Sequence, residues 1–251
     1  MLEGSIHQAW GLQDMGAQGT PRLMAMASHG NRQGEHPLLW SLCSTLTELG
    51  YPVAVLDATT TESERNPGLL QWLDGPGGPH LGADSAVSWQ VVPSSLGLQR
   101  LCGQDGFQGQ AWSPLADLFQ NYGVIVVYAG ADLLSSLLAH SGVEPLLAVA
   151  PQKNSSLTAY QALKQMLLTA QLRPTMASIV IDAGAGSGAG ERTAARKLQE
   201  CALNFLGYPL DSWLVRAAQT QERLSDDMQR LALRLLEKAM PLYRHHFVGT
   251  R

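Results

Sequence analysis

Charged side chains are scarce in this sequence, since aspartate, glutamate, lysine and arginine make up only 15% of its 251 residues. Acidic residues outnumber basic ones, which gives a formal net charge of −4 and a sequence pI of about 5.9. A protein that covers nucleic acid with a whole face needs that face to be basic. The charge balance gives no support for such a footprint, and we expect no nucleic-acid partner, although a local basic patch stays open.

Cysteine pairs and long apolar runs are also missing. The three cysteines, Cys43, Cys102 and Cys201, are far apart and form no CxxC pair, which argues against a disulfide scaffold or a metal site. The first residues lack the basic and apolar regions of a secretory signal. The most apolar stretch, 124–139, contains Asp132 and is too short to span a bilayer. We therefore expect a cytoplasmic protein.

Apolar residues make up 45% of the chain, enough for a sizeable core, and they fall into alternating strand and helix patterns. Such alternation predicts a three-layer α/β fold whose mostly parallel sheet is flanked by helices. We predict a tail over residues 1–20 and one domain over residues 21–251. Residues 66–110 are rich in glycine and proline and are expected to be irregular connections around one strand near Val87–Val92.

The opening of the domain, 23–59, has a recognisable order of strand, loop, helix and strand. Its loop, Ser28 to His36, stands in the register of the motif SGKGGVGKT, and Gly34 occupies the last motif glycine. Apolar spacing predicts that the following helix runs from Leu38 to Leu49 and ends at Gly50, and the next strand runs into Asp57, where the motif DAD would begin. This unit resembles the MinD/ParA-type (SIMIBI class) P-loop ATPases, and the resemblance implies their fold.

The residues that do the chemistry in that family are replaced here. A P-loop needs backbone amides to face the phosphates, a lysine to meet their charge and a hydroxyl to hold magnesium. Glu35 stands at the P-loop lysine, His36 at the magnesium threonine and Gly30 at the signature lysine, and Tyr128 replaces the Walker B acid. A carboxylate in a phosphate cradle repels phosphate. We interpret the chain as a pseudo-ATPase that has lost the ability to bind ATP and magnesium. We expect it to have no catalytic residues and no metal ligands.

The degenerate nucleotide loop predicted in this way consists of Ser28, Gly30, Gly34, Glu35, His36, Asp57 and Tyr128. Asp57 has a second interpretation, because an aspartate at a strand end often caps the next turn. In the family two ATP molecules are sandwiched in a dimer, and the signature lysine reaches across it. With Gly30 at that position, the resemblance implies no ATP-dependent dimer.

Within the family, the resemblance is greatest to the flagellar regulators FlhG and FleN. The segment Ala150–Lys164 resembles their TPEPTSLTDAYALIK, and the tail HQAWGLQ resembles the DQAxxLR segment that docks FlhG on the GTPase FlhF. The implied partner-binding residues are Gln8, Ala9, Trp10 and Leu12. In a competing interpretation of nearly equal weight, Trp10 folds back on its own domain.

The function implied is a non-hydrolysing regulator that acts through protein contacts in the control of flagellar number or placement, with an FlhF-type GTPase as its partner. Two alternatives stay open: a pseudo-ATPase in another envelope or polarity system, such as cellulose secretion, and a nucleotide-dependent enzyme with rebuilt chemistry. The last helix carries the apolar stripe Leu224, Met228, Leu231, Leu235 and Ala239. We expect this stripe to pack on the core, and we expect any recruitment to the membrane or cell pole to depend on a partner.

Overall fold

A single eight-stranded sheet organises the chain in a computed structural model, which describes residues 20–75, 89–103, 112–150, 154–181, 188–217 and 226–243. Seven strands are parallel and lie in the order β3-β2-β4-β1-β5-β6-β7, and β8 pairs antiparallel with β1. The strands are β1 (Arg22–Ser28), β2 (Val53–Asp57), β3 (Trp89–Pro93), β4 (Val124–Gly130), β5 (Leu146–Ala148), β6 (Thr175–Ile181), β7 (Ser212–Ala217) and β8 (Met240–Pro241). The predicted fold class is confirmed.

Helices cover both faces of the sheet. In the described residues they are α1 (Arg32–Glu48), α2 (Leu69–Asp74), α3 (Ser95–Gly103), α4 (Ser113–Leu118), α5 (Ala131–Leu138), α6 (Ser155–Ala170), α7 (Gly188–Leu206) and α8 (Asp226–Glu237). Leucines of α1 and α8, such as Leu42 and Leu231, are buried in the cluster on one face. Residues of α2 to α7, such as Leu134 and Leu163, are buried in the cluster on the other face.

The connections at the centre of the sheet create a crevice. Strands β1 and β4 are neighbours, yet α1 follows β1 on one face while α5 follows β4 on the other. The loop after β1 and the end of β4 therefore separate at the carboxyl edge of the sheet, which is where open α/β sheets bind ligands.

Two local expectations from the sequence are wrong. Residues 66–110 are not just connections around a strand, because α2 and α3 form there and bury Leu69, Leu98 and Leu101 in the core. The first helix begins at Arg32, before Pro37, whereas the apolar spacing placed its start at Leu38. The extra turn closes because the amides of Gly34 and Glu35 both donate to the carbonyl of Asn31.

The terminal helix α8 packs on the core, as predicted, although Leu224 of the predicted stripe lies outside the described residues. Met228, Leu231 and Leu235 are buried in the same cluster as the apolar face of α1. Within the portions of the chain described above, no helix combines the length and apolarity needed to cross a membrane. The tail residues Gln8, Ala9, Trp10 and Leu12 lie outside the described residues, and the division into residues 1–20 and 21–251 stays a prediction.

Candidate functional site

The loop that links β1 to α1 lies at the crevice in the sheet. Ser28 ends β1 opposite Gly130 of β4, and two residues earlier in this parallel register Met26 lies opposite Tyr128. Helix α1 begins at Arg32, four residues after Ser28. The loop therefore presents its backbone amides and the first turn of α1 toward the end of β4, as a phosphate-binding loop does.

The carboxylate of Glu35 lies inside this loop and is fully buried. Its Oε1 accepts the backbone amides of His29 at 3.0 Å and Asn31 at 2.9 Å. Its Oε2 accepts the Ser28 hydroxyl at 2.9 Å and the Tyr128 hydroxyl. The carboxylate thus takes the amide and hydroxyl donors that the loop would otherwise offer to a bound anion.

The hydrogen bonds keep Glu35 ionised even though it is buried. Burial alone raises the pKa of this carboxyl, but the Tyr128 hydroxyl, the amides of His29 and Asn31 and the charge of nearby His29 outweigh it, so the pKa is lowered from its ordinary value. Burial and the Glu35 hydrogen bond raise the pKa of Tyr128, so its hydroxyl stays protonated and continues to donate. At neutral pH the Tyr128 hydroxyl is therefore a hydrogen-bond donor and the Glu35 carboxyl is an anion.

His29 joins the loop to β5 and α6. Its Nε2 lies 2.8 Å from the carbonyl oxygen of Ala148 and 3.5 Å from Glu35 Oε1, and its Nδ1 lies 2.8 Å from the Thr158 hydroxyl. Sequence reasoning missed both His29 and Thr158. His29 occupies a position at which the motif has a glycine and therefore no side-chain role, and nothing in the sequence marks Thr158 as its partner.

Two glycines of the loop have backbone or packing roles. Gly30 has φ +88°, a left-handed conformation that favours glycine. A Cβ on Gly34 would lie 2.4 Å from the Cβ of Ala150, so this residue must stay small where α1 approaches the end of β5. Glycine is therefore favoured at both positions, at one by the backbone conformation and at the other by the packing.

Asp57 is turned toward its own chain. Its carboxylate accepts the amide of Thr59 at 2.8 Å, the Thr59 hydroxyl at 2.6 Å and the Thr60 hydroxyl at 2.7 Å. These contacts cap the turn after β2, as the second interpretation of this residue anticipated. The structure therefore brings Ser28, Glu35 and Tyr128 together, whereas the carboxylate of Asp57 accepts hydrogen bonds from the turn after β2.

His36 belongs to a row of aromatic rings beside the loop. It stacks on Trp40 with ring centroids 5.9 Å apart and lies edge-on to Tyr128 with centroids 5.8 Å apart. The ring centroids of Trp40 and Trp89 are 6.4 Å apart. Trp40 is 52% exposed. A shallow groove of about 330 Å³ runs along this surface, lined by Arg32, Gln33, His36, Pro37 and Trp40.

The residues present do not fit a nucleotide phosphate with its magnesium ion. The loop amides of His29 and Asn31 are taken by the Glu35 carboxylate, and the phenol of Tyr128 on β4 lies against the same carboxylate. In the parts of the chain that the structure covers, no group of three or more histidine, cysteine, aspartate or glutamate side chains could hold a metal ion.

Solved structures share this fold across most of the chain. Cobyrinic acid a,c-diamide synthase from Mycobacterium smegmatis, solved with ADP and magnesium, matches 90% of this chain and 100% of its own at 13% identity and TM-score 0.56. A plasmid partition protein from Borrelia burgdorferi matches 86% of this chain and 99% of its own at 12% identity and TM-score 0.53. The pNOB8 ParA protein, solved on nonspecific DNA, matches 87% and 98% at 13% identity and TM-score 0.51.

These likenesses show the ParA/MinD type of P-loop fold, and at such identities they show the fold alone. No family model matches the sequence, and no curated protein matches it.

Proposed function

We propose that this chain is a non-hydrolysing regulator with the MinD/ParA fold, and that it acts through protein contacts in the control of flagellar number or placement. One observation carries the proposal. The carboxylate of Glu35 accepts the two loop amides of His29 and Asn31, so a phosphate would have to displace a buried anion to reach them. The negative charges of the phosphate and of the Glu35 carboxylate would repel each other, because burial weakens the screening of charges by water.

The neighbouring positions support the same conclusion. Gly30 offers no cation where the signature lysine would be, and the indole of Trp40 stacks on His36 where a magnesium hydroxyl would be. A protein that binds no nucleotide can still bind other proteins through its surface. The FlhG-like features of the sequence, the segment Ala150–Lys164 and the tail around Trp10, support a flagellar setting and an FlhF-type GTPase as the partner.

Oligomeric state gives a first test of this proposal. We expect light scattering to report the same mass with and without Mg-ATP, because no lysine stands at Gly30 to bridge to a nucleotide in a second copy. An ATPase of the same fold that dimerises on ATP serves as the positive control. A shift from monomer to dimer on adding Mg-ATP would refute the expectation, whereas a dimer that is present under both conditions agrees with it.

Removing the tail tests the proposed docking segment. We expect deletion of residues 1–20 to leave the melting temperature almost unchanged and to abolish capture of an FlhF-type GTPase in a pull-down. Large aromatic and aliphatic side chains supply most of the binding free energy of short docking segments, so Trp10→Ala with Leu12→Ala should have the same effect.

Gln13→Ala is the matched control for that experiment, because Gln13 stands where the FlhG segment has its arginine and already departs from the motif. We expect this variant to capture the GTPase normally. Full capture by the chain without residues 1–20 would rule out the tail as the docking element. A large fall in melting temperature on deletion would instead show that Trp10 packs on its own domain.

A further inference from the structure

Donors from three parts of the fold converge on one carboxylate. The amides of His29 and Asn31 come from the loop, the Ser28 hydroxyl from the end of β1 and the Tyr128 hydroxyl from β4. All four donate to oxygens of Glu35, and no water-exposed side of this carboxylate remains. Neighbouring backbone amides that point at one negative group can form an anion-binding concavity, and charge-assisted hydrogen bonds of this kind are stronger than neutral ones. Glu35 is held as a bound anion is held.

We propose that Glu35 is a permanent internal ligand of the loop between β1 and α1. Its carboxylate fills an anion cradle that the fold still forms, and it thereby holds the loop in one conformation without a nucleotide. This inference rests on the proposed function, because it explains how the loop keeps its shape when no phosphate binds there. A protein partner then recognises this region without a nucleotide bound to the loop.

The carboxylate also fixes the surface beside the loop. Glu35 holds the hydroxyl of Tyr128, the ring of Tyr128 contacts His36, and His36 stacks on the exposed Trp40. A ligand that binds and leaves can switch such a surface between two states. An anion that is covalently part of α1 cannot leave. The groove lined by Arg32, His36 and Trp40 therefore keeps a single conformation.

The test is to remove the internal anion and supply an external one. Glu35→Ala leaves the four donors in place around a space that held a methylene and a carboxylate, and formate is small enough to enter it and supply the carboxylate. Unfolding of this variant by urea is followed in sodium formate and in sodium chloride of equal ionic strength. At a formate concentration about ten times its dissociation constant, the unfolding equilibrium constant should fall about tenfold relative to chloride. Amide exchange at His29 and Asn31 should slow in parallel.

Two proteins serve as controls for general salt effects. Leu42→Ala removes a buried side chain from the same helix without exposing any donor, and the wild-type chain already has its cradle filled. Formate should stabilise neither of them beyond chloride. The proposal is overturned if formate has no more effect than chloride on Glu35→Ala, or if it stabilises Leu42→Ala equally.

A second measurement needs no destabilised variant. In the wild-type chain labelled with ¹⁵N and ¹³C, couplings across the hydrogen bonds should join the amide nitrogens of His29 and Asn31 to the side-chain carboxyl carbon of Glu35. Their absence while both amides are resolved would overturn the proposal even if Glu35→Ala does not fold. Failure here is separate from failure of the proposed function, which would appear as binding of Mg-ATP to the wild-type chain.

Discussion

Replacing Glu35 by alanine is expected to lower the free energy of unfolding by about 3–5 kcal/mol, since a buried donor that loses its acceptor costs roughly 1–3 kcal/mol. Four donors lose their acceptor together: the amides of His29 and Asn31 and the hydroxyls of Ser28 and Tyr128. The two hydroxyls can turn toward other acceptors, but the two amides are fixed by the backbone, so the loss falls short of the full sum. Urea denaturation measures the effect.

Glu48→Ala is the matched control for that measurement. Glu48 is the last residue of the same helix, and its side chain is exposed. The substitution removes one negative charge and adds one alanine to α1, as Glu35→Ala does, and it should change stability by no more than about 0.5 kcal/mol. If the two variants were equally stable, the network around Glu35 would contribute nothing to the fold and the loop would have to be held by other contacts.

Replacing Leu231 by alanine is expected to lower the free energy of unfolding by about 2–5 kcal/mol, the usual cost of truncating a buried leucine. Leu231 is fully buried in the cluster that α8 shares with α1. Leu233 lies on the same helix and is 45% exposed, so Leu233→Ala should change stability by about 0.5 kcal/mol or less. Both variants can be compared by urea denaturation under one set of conditions.

The comparison of Leu231 and Leu233 also tests the role of α8. A helix that lay on a membrane surface and not on the core would contribute little to folding in water, and Leu231→Ala would then resemble Leu233→Ala. That outcome would contradict the packing described for α8. A large difference between the two variants agrees with a terminal helix whose apolar stripe is used by the protein's own core.

The sheet was predictable because its strands are short apolar runs separated by helices, and Val53–Asp57 and Val124–Gly130 are buried along most of their length. The apolar spacing could not find α2, because a helix of six residues is too short to show a helical period. Strand β7 gives a weaker apolar signal than β4, because Ser212 and Arg216 lie on either side of its short apolar run.

For the site, alignment with a motif located the loop but did not reveal which groups Glu35 contacts. Sequence reasoning treated its carboxylate as a charge that would repel phosphate, and that argument gives no direction for the side chain. The structure adds that the carboxylate points into the loop and accepts its amides. The direction of a side chain depends on tertiary neighbours such as Tyr128, which is 93 residues away in the sequence. No local pattern encodes that contact.

Two other residues of the predicted loop set differ in how far their contacts could be foreseen. Asp57 caps its own turn through Thr59 and Thr60, which follow it directly, and this is a short-range arrangement that the sequence already offered. His36 lies against Trp40, one helical turn away, and also against Tyr128 on β4. The first of these contacts follows from helical spacing, and the second needs the fold.

Isothermal titration of Mg-ATP into the wild-type chain tests whether the loop binds nucleotide, with a nucleotide-binding ATPase of the same fold as the positive control. We expect no heat of binding, because Glu35 occupies the loop amides, Gly30 supplies no cation and the phenol of Tyr128 lies beside the carboxylate. Binding of Mg-ATP with micromolar affinity would contradict it. Such binding would show that the loop can exchange its internal carboxylate for a phosphate.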